Sequence, residues 1–315
     1  MSAAPPSGLV VRDACPSDAQ VIRDVVVEAF LDRPRLDPPT TATDETVHSV
    51  REALESYGGV VAELEGQVVG ALLLAREADV LTLRRVATRP GYRRRGVAGA
   101  MAAHAEARAQ RIGVRVVALS ARPELPATVG FWRNRGFTQT GRRGHLLDLA
   151  KPAPVSIVLP DAAATRRLGA RIAGLLHAGD LVVLAGELGA GKTTLAQGLG
   201  AALGVRGEVT SPTYVIARVH PSTSGGPDLV HVDAYRLGGQ LEVDDLDLDA
   251  SVEESVTVVE WGEGKVEALA EDRLEVRIDR DAPGGRLAVV RGIGRRWLDA
   301  VDGLTELASI AWPTC

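Results

Sequence analysis

The chain has 315 residues, 45% of them hydrophobic, and a formal net charge of −5. That length predicts about two domains, and the absence of any run of about 18 apolar residues excludes an obvious membrane-spanning helix. The amino terminus, MSAAPPSGLVVRDACPSD, has neither the basic start nor the apolar core of a signal peptide, so a cytoplasmic location is expected. The two cysteines, Cys15 and Cys315, form neither a metal-spaced pair nor a disulfide framework.

Leu9–Arg12 reads as a strand. Asp18–Phe30 has helical spacing, with Val21, Val25 and Ala29 on one face. Leu31–Thr43 is a Pro- and Thr-rich loop. Strands Val60–Leu64 and Val68–Leu74 flank Glu65-Gly66, a hairpin signal. Strand Val80–Val86, helix Val97–Ile112, strand Val114–Leu119 and helix Ala127–Arg135 follow, and a last strand closes this half.

A seam lies at Lys151-Pro152-Ala153-Pro154, where paired prolines predict a short stiff linker, 151–154, between domains 1–150 and 155–315. The charge changes there. Residues 1–150 carry 20 Arg against 17 Asp and Glu; residues 151–315 carry 16 Lys and Arg against 24 acids. A net-acidic half is a poor nucleic-acid binder alone, because such binding rests on neutralising many phosphates. Any RNA would be held indirectly, through a partner.

Beyond the seam the pattern is α/β. Helix Asp161–His177 leads to strand Leu181–Ala185, a Gly-rich turn and helix Thr193–Leu203. Strands are expected at Val215–Val219, Leu229–Asp233, Val256–Glu260, Leu274–Ile278 and Leu287–Val290, with a polar loop at Pro221–Asp228. The acidic stretch Glu242–Glu254 reads as a solvated face or a partner-docking surface.

Gly186-Glu187-Leu188-Gly189-Ala190-Gly191-Lys192-Thr193 fits the phosphate-loop pattern G-x-x-x-x-G-K-[ST], followed by Thr194. The glycines let the loop curl and aim its amides at phosphate oxygens, and the helix start adds its positive end. Lys192 is expected on the β- and γ-phosphates of ATP, and Thr193 on Mg²⁺. Lys192 is one of only three lysines, against 33 arginines, so its placement is informative. Two apolar strands end in acids, Asp233 and Glu260, where a doubly wound sheet puts ligand groups. Both are expected to face metal and attacking water. Which of them ligates Mg²⁺ directly is left open at this point.

The segments GELGAGKTT (186–194), SPTY (211–214), HVDAYRL (231–237) and VEW (259–261) occur in that order and resemble the signature of the TsaE (YjeE) family, over roughly 155–295. The resemblance implies an ATPase subunit of bacterial tRNA threonylcarbamoyladenosine modification. It implies two protein partners, a transferase subunit and its non-catalytic paralogue. It also implies catalytic roles for Lys192, Asp233 and Glu260, a nucleotide-sensing role for Thr213, and Trp261 beside the nucleotide.

In the first half, Arg93-Arg94-Arg95-Gly96-Val97-Ala98 fits [QR]-x-x-G-x-[GA] between a strand and a helix whose first turns lack acids until Glu106. With the strand Val114–Leu119 and the segment around Phe131-Trp132, this order resembles the GNAT acyltransferase superfamily over roughly 8–149. The resemblance implies that amides of Arg95, Gly96, Val97 and Ala98 bind the acetyl-CoA pyrophosphate, and that backbone at Val86–Thr88 pairs with the pantetheine arm. Many GNAT members carry Phe-Tyr where this chain has Phe131-Trp132, and an indole N–H cannot protonate a departing thiolate near neutral pH. Glu28 is the candidate general base. The expected fold is α/β throughout: a GNAT-like α+β domain with a central mixed sheet, then a P-loop NTPase α/β domain. Three functional readings follow. The first is an acyltransferase fused to the ATPase, the second the same ATPase with a non-catalytic acyl-CoA-binding module, and the third a small-molecule kinase.

Overall fold

The computed structural model describes residues 5–211, 217–236, 254–266, 270–282 and 285–309. They form two compact units, Met1–Ala153 and Pro154–Cys315.

In the first unit, seven strands form one sheet in the order β1-β2-β3-β4-β5-β7-β6. The strands are β1 (Val10–Asp13), β2 (Gly59–Leu64), β3 (Gln67–Glu77), β4 (Val80–Thr88), β5 (Val116–Ala121), β6 (Thr138–Arg143) and β7 (Leu146–Pro152). All neighbours are antiparallel except β4 and β5, which run parallel from Val80↔Val116 to Leu83↔Leu119. Beyond Leu83 no pairing joins β4 to β5, although β4 continues to Thr88. The register against β3 also shifts there, and Arg85 takes a positive φ of 52°. A bulge of this kind twists a strand and re-aims its side chains.

Helices cover both faces. On one, α1 (Ala19–Leu31) and α2 (Val47–Tyr57) bury Ile22, Val25, Val26, Val50 and Leu54 against Val61 and Leu73. On the other, α3 (Val97–Arg111) and α4 (Pro126–Arg133) bury Val97, Met101, Ala105 and Trp132 against Leu72, Leu74 and Leu119. Helix α2 lies outside the elements expected from the sequence; Thr46 caps it by accepting from the Ser49 amide at 3.0 Å. Two closing strands, β6 and β7, stand where one was expected.

The expected linker is corrected at its start. Lys151 and Pro152 are the last residues of β7, paired with Val117 and Val116. β6 pairs with β7 only as far as Ala150, so Pro152 occupies a locally one-sided position where proline is tolerated. Lys151 is buried, its ammonium 2.7 Å from Glu106 and donating to the Arg135 carbonyl at 3.0 Å.

In the second unit the order is β10-β11-β12-β9-β13-β14-β8. The strands are β8 (Val155–Leu159), β9 (Leu181–Ala185), β10 (Ala217–His220), β11 (Asp228–Asp233), β12 (Ser255–Glu260), β13 (Arg273–Asp279) and β14 (Arg286–Ile293). The central four, β11-β12-β9-β13, are parallel, and the outer strands are antiparallel. Such a buried parallel core explains the near-continuous apolar runs of β9, β11 and β12. Helices α5 (Ala162–Ala173) and α6 (Lys192–Leu203) pack on one face, together with the buried Trp297 of α7 (Arg295–Asp299) and Leu304 of α8 (Val301–Glu306).

Helix α5 is shorter than the expected 161–177. Asp161 caps it, accepting from the Ala164 amide at 2.6 Å, and Gly174 ends it. Helices α5 and α6 touch backbone to backbone: a Cβ on Gly198 would sit 2.0 Å from the Arg166 carbonyl oxygen. Among the described residues, no helix is long and apolar enough to cross a membrane.

Candidate functional site

Strand β9 feeds the loop 186–191, and α6 begins at Lys192. Gly186 holds φ 138° with its Cα so close to the Ile278 carbonyl that a Cβ would lie 2.4 Å from that oxygen. Only glycine fits there. Gly189 and Gly191 also hold positive φ, so the loop can turn its amides inward at the start of a 12-residue helix.

Sheet register brings the acids to this loop. Asp233 pairs with Glu260, and Glu260 pairs with Leu184, the penultimate residue of β9. Both carboxylates therefore stand at the carboxyl ends of parallel strands, beside the loop, and both are buried. Glu260 accepts from the Thr193 hydroxyl, Oγ1 lying 2.8 and 3.1 Å from its two oxygens, and Nε2 of the fully buried His231 lies 3.0 Å from Oε1. Asp233 accepts from the Ser211 hydroxyl at 3.1 Å and from the Tyr235 amide at 3.0 Å.

The Lys192 ammonium donates to the carbonyls of Gly186 and Glu187, each at 2.9 Å, and sits 3.8 Å from the centroid of the Trp261 ring. Burial lowers its pKa, while Glu260 and Asp233 pull it back up. Trp261 takes a positive φ of 61° and meets Tyr235 edge-on at 5.2 Å. Thr194 follows in the first turn of α6, and Leu188 stands 81% exposed at the loop tip. Thr213 lies outside the described residues, as do Tyr214, Leu237 and residues 242–253 of the acidic stretch.

The donor set suits a nucleotide phosphate and a hard cation: an amide-lined loop, one ammonium, one hydroxyl and two carboxylates. His231 escaped the sequence reading. A lone polar residue inside the apolar run Leu229-Val230-His231-Val232 was the available signal, because a fully buried imidazole needs a partner.

In the first unit, Gly96 (φ 74°) caps α3, so Arg95, Gly96, Val97 and Ala98 lie at the amino end of a 15-residue helix with no acid in its first turn. Val86 lies on the unpaired reach of β4, and the buried Thr88 hydroxyl has no partner. An open strand end beside a free helix amino terminus fits a group with an amide arm and a diphosphate.

Where β4 and β5 part, a cavity of about 780 Å³ opens, walled by Thr82–Val86, Leu119–Arg122, the loop after α1 and the β6–β7 turn. Trp132 and His145 line it. Glu28 does not: it is ion-paired with Arg89, which leaves the expected general base engaged.

Fold and site together define a P-loop nucleotide-binding domain preceded by an acyltransferase-type domain. Residues 159–288 match the family model described as threonylcarbamoyl adenosine biosynthesis protein TsaE, and residues 26–137 match the acetyltransferase (GNAT) family. A TsaE protein of Streptomyces coelicolor is 66% identical over 140 residues, covering 43% of this chain and 95% of the relative. One from Mycobacterium tuberculosis is 51% identical over 129 residues, covering 39% and 77%. Among solved structures, Bacillus subtilis YdiB is 26% identical with a TM-score of 0.41, covering 49% of this chain and 95% of its own. The PaiA N-acetyltransferase of Thermoplasma acidophilum in complex with coenzyme A is 13% identical with a TM-score of 0.42, covering 46% and 98%. The chain belongs to the TsaE family and carries a GNAT domain fused ahead of its TsaE domain.

Proposed function

We propose that the second unit is the Mg²⁺-dependent ATPase of tRNA threonylcarbamoyladenosine biosynthesis, acting in the cytoplasm with a transferase subunit and its non-catalytic paralogue. The tRNA is held by those partners, in keeping with the acidic charge of this half. The first unit is an acetyl-CoA-dependent N-acyltransferase, and the chain passes from one functional domain to the next near 151–154.

One observation carries the ATPase reading: the Thr193 hydroxyl contacts Glu260 while the β11–β12 register sets Asp233 beside it, at the mouth of the phosphate loop. In this reading the amides of 186–194 cradle the phosphates and Lys192 leaves its two loop carbonyls to neutralise them. Thr193 and Glu260 hold Mg²⁺, which when bound neutralises phosphate oxygens. Asp233, fixed by Ser211 and Tyr235, orients the attacking water. Thr213 and Trp261 contact the nucleotide.

In the first unit, Val86 and the amino end of α3 hold acetyl-CoA. His145 accepts the proton lost by the acceptor amine as the new C–N bond forms and the thioester C–S bond breaks. It is the one imidazole among the described cavity-lining residues, and no carboxylate lines the cavity.

Phosphate release from Mg·ATP, measured with and without the two partner proteins, tests the first proposal. Stimulated release, lost in Glu260→Ala, supports it. Phosphate delivered to a small-molecule acceptor instead of water would overturn it in favour of a kinase.

A further inference from the structure

From the cavity of the first unit we infer that the acyl acceptor is an amine carrying a carboxylate, a deduction resting on the acyltransferase reading above. Six arginines line the cavity, Arg33, Arg35, Arg84, Arg85, Arg122 and Arg143, and no aspartate or glutamate does. Three are answered from outside the lining: Arg85 by Glu45 at 2.7 Å, Arg122 by Glu124 at 3.2 Å and Arg143 by Asp148 at 2.8 Å. The other three, Arg33, Arg35 and Arg84, contact no carboxylate among the described residues.

Arg33 is the telling one. Its guanidinium lies 3.7 Å from the centroid of the Phe30 ring, half-buried, with the Val86 carbonyl oxygen at 3.4 Å as its hydrogen-bond acceptor. Burial, with nearby Arg93, pushes its pKa down to about 10. A desolvated guanidinium without a counter-ion is costly, and a bidentate carboxylate is the group its planar fork fits best. A polyamine or a basic peptide would meet six guanidiniums and no lining carboxylate in the same space, with Arg84 drawing on Glu45 only at longer range, so the cavity selects against such acceptors. The cavity volume suits an amino-acid-sized molecule rather than a folded chain.

The overall transfer balances as follows. The acceptor nitrogen gives up one proton and gains the acetyl group of acetyl-CoA, and the CoA sulfur leaves with its electron pair and takes up a proton. The acceptor carboxylate, held by Arg33 and its neighbours, takes no part in bond making and fixes which amine faces the thioester.

The test is calorimetric titration of the full chain, first with CoA alone. Glutamate, N-terminal-Glu tripeptide, glutamine amide and spermidine are then titrated into the CoA-saturated protein. Glutamate or the tripeptide should bind at least tenfold tighter than glutamine amide and spermidine, and the preference between those two separates a metabolite from a chain end as the carrier of the same chemistry. Arg33→Gln should weaken the anionic ligand at least tenfold and weaken CoA by a clearly smaller factor, since the variant also loses the bond to the Val86 carbonyl. Arg84→Gln, at an exposed position, repeats the test in a variant whose folding is not in question. Spermidine binding as tightly as glutamate would overturn the inference, as would an Arg33→Gln effect confined to CoA. Failure of CoA to bind while the anionic amine still does would instead overturn the acyltransferase reading and leave the carboxylate site standing.

Discussion

The Thr193 hydroxyl donates to Glu260 across 67 residues of sequence, Oγ1 lying 2.8 Å from Oε1. The contact joins the first turn of α6 to the end of β12 and pre-positions two hard oxygen donors before any nucleotide arrives. His231, fully buried behind them, has Nε2 at 3.0 Å from the same Glu260 oxygen. Replacing Thr193 or Glu260 by Ala is expected to reduce phosphate release at least about a hundredfold, the scale of losing a charge-stabilising group at a reacting centre. His231→Ala should lower turnover with a smaller effect on nucleotide affinity, because it removes support for the carboxylate and no direct ligand. Steady-state kinetics with nucleotide-binding titrations separate the two outcomes. Equal kcat in wild type and Glu260→Ala would remove the site.

The Lys192 ammonium, 3.8 Å from the Trp261 ring centroid, is held by two carbonyls of its own loop. A bound phosphate offers the ammonium a full negative charge, so nucleotide should draw it away from the indole. Trp261 emission is then expected to change on titration with Mg·ATP. The other three tryptophans, Trp132, Trp297 and Trp312, remain in Trp261→Phe, which should abolish the response. A response that survives in Trp261→Phe would mean that the indole does not report on Lys192.

The phosphate loop and its two acids were legible because each is local: a glycine spacing after an apolar strand, and an acid closing an apolar strand. The register that makes Asp233 and Glu260 neighbours is not local, and neither is the His231–Glu260 contact, although a histidine within Leu229–Asp233 hinted at it. The arginine-lined cavity left no sequence signal. Its arginines come from four separate segments, and in a chain with 33 arginines no one of them stands out. Pro152 misled for a physical reason: proline reads as a strand breaker, yet here it ends a strand where β6 has already stopped pairing. Helix α2 was missed because its buried side is only Val50 and Leu54, too short a stripe to show a period.

The α5–α6 contact predicts a cost for the smallest possible addition. A Cβ on Gly198 would lie 2.0 Å from the Arg166 carbonyl oxygen, and one on Gly169 2.2 Å from the Leu195 carbonyl oxygen, so the helices cannot approach this closely with alanine at either site. Alanine would normally favour a helix by ~1 kcal/mol over glycine. Overpacking of backbone outweighs that gain, and Gly198→Ala should destabilise the second unit by roughly 1–3 kcal/mol. Chemical denaturation of the full chain checks the sign. A more stable variant would mean that the two helices separate freely.

Acid should weaken the first unit through Asp18. Arg12 holds its carboxyl down at about 2, helped by the Cys15 amide and thiol, from an ordinary value of 3.8. The pair is short, 2.7 Å between Arg12 Nη1 and Asp18 Oδ2, and the carboxylate is largely buried. A carboxyl whose folded pKa lies below its unfolded one binds fewer protons when folded. It therefore adds stability above about pH 4, and that stability drains away as pH falls from about 4 to 2. The contribution is about 2 kcal/mol at neutral pH. Asp18→Asn removes the titrating group, so the variant should start less stable at pH 7 and lose less between pH 4 and 2 than wild type. Denaturation midpoints of the first unit across that range, read by near-ultraviolet circular dichroism, measure the difference. Parallel pH curves for the two proteins would show that Asp18 is not the group whose protonation loosens β1 from the start of α1.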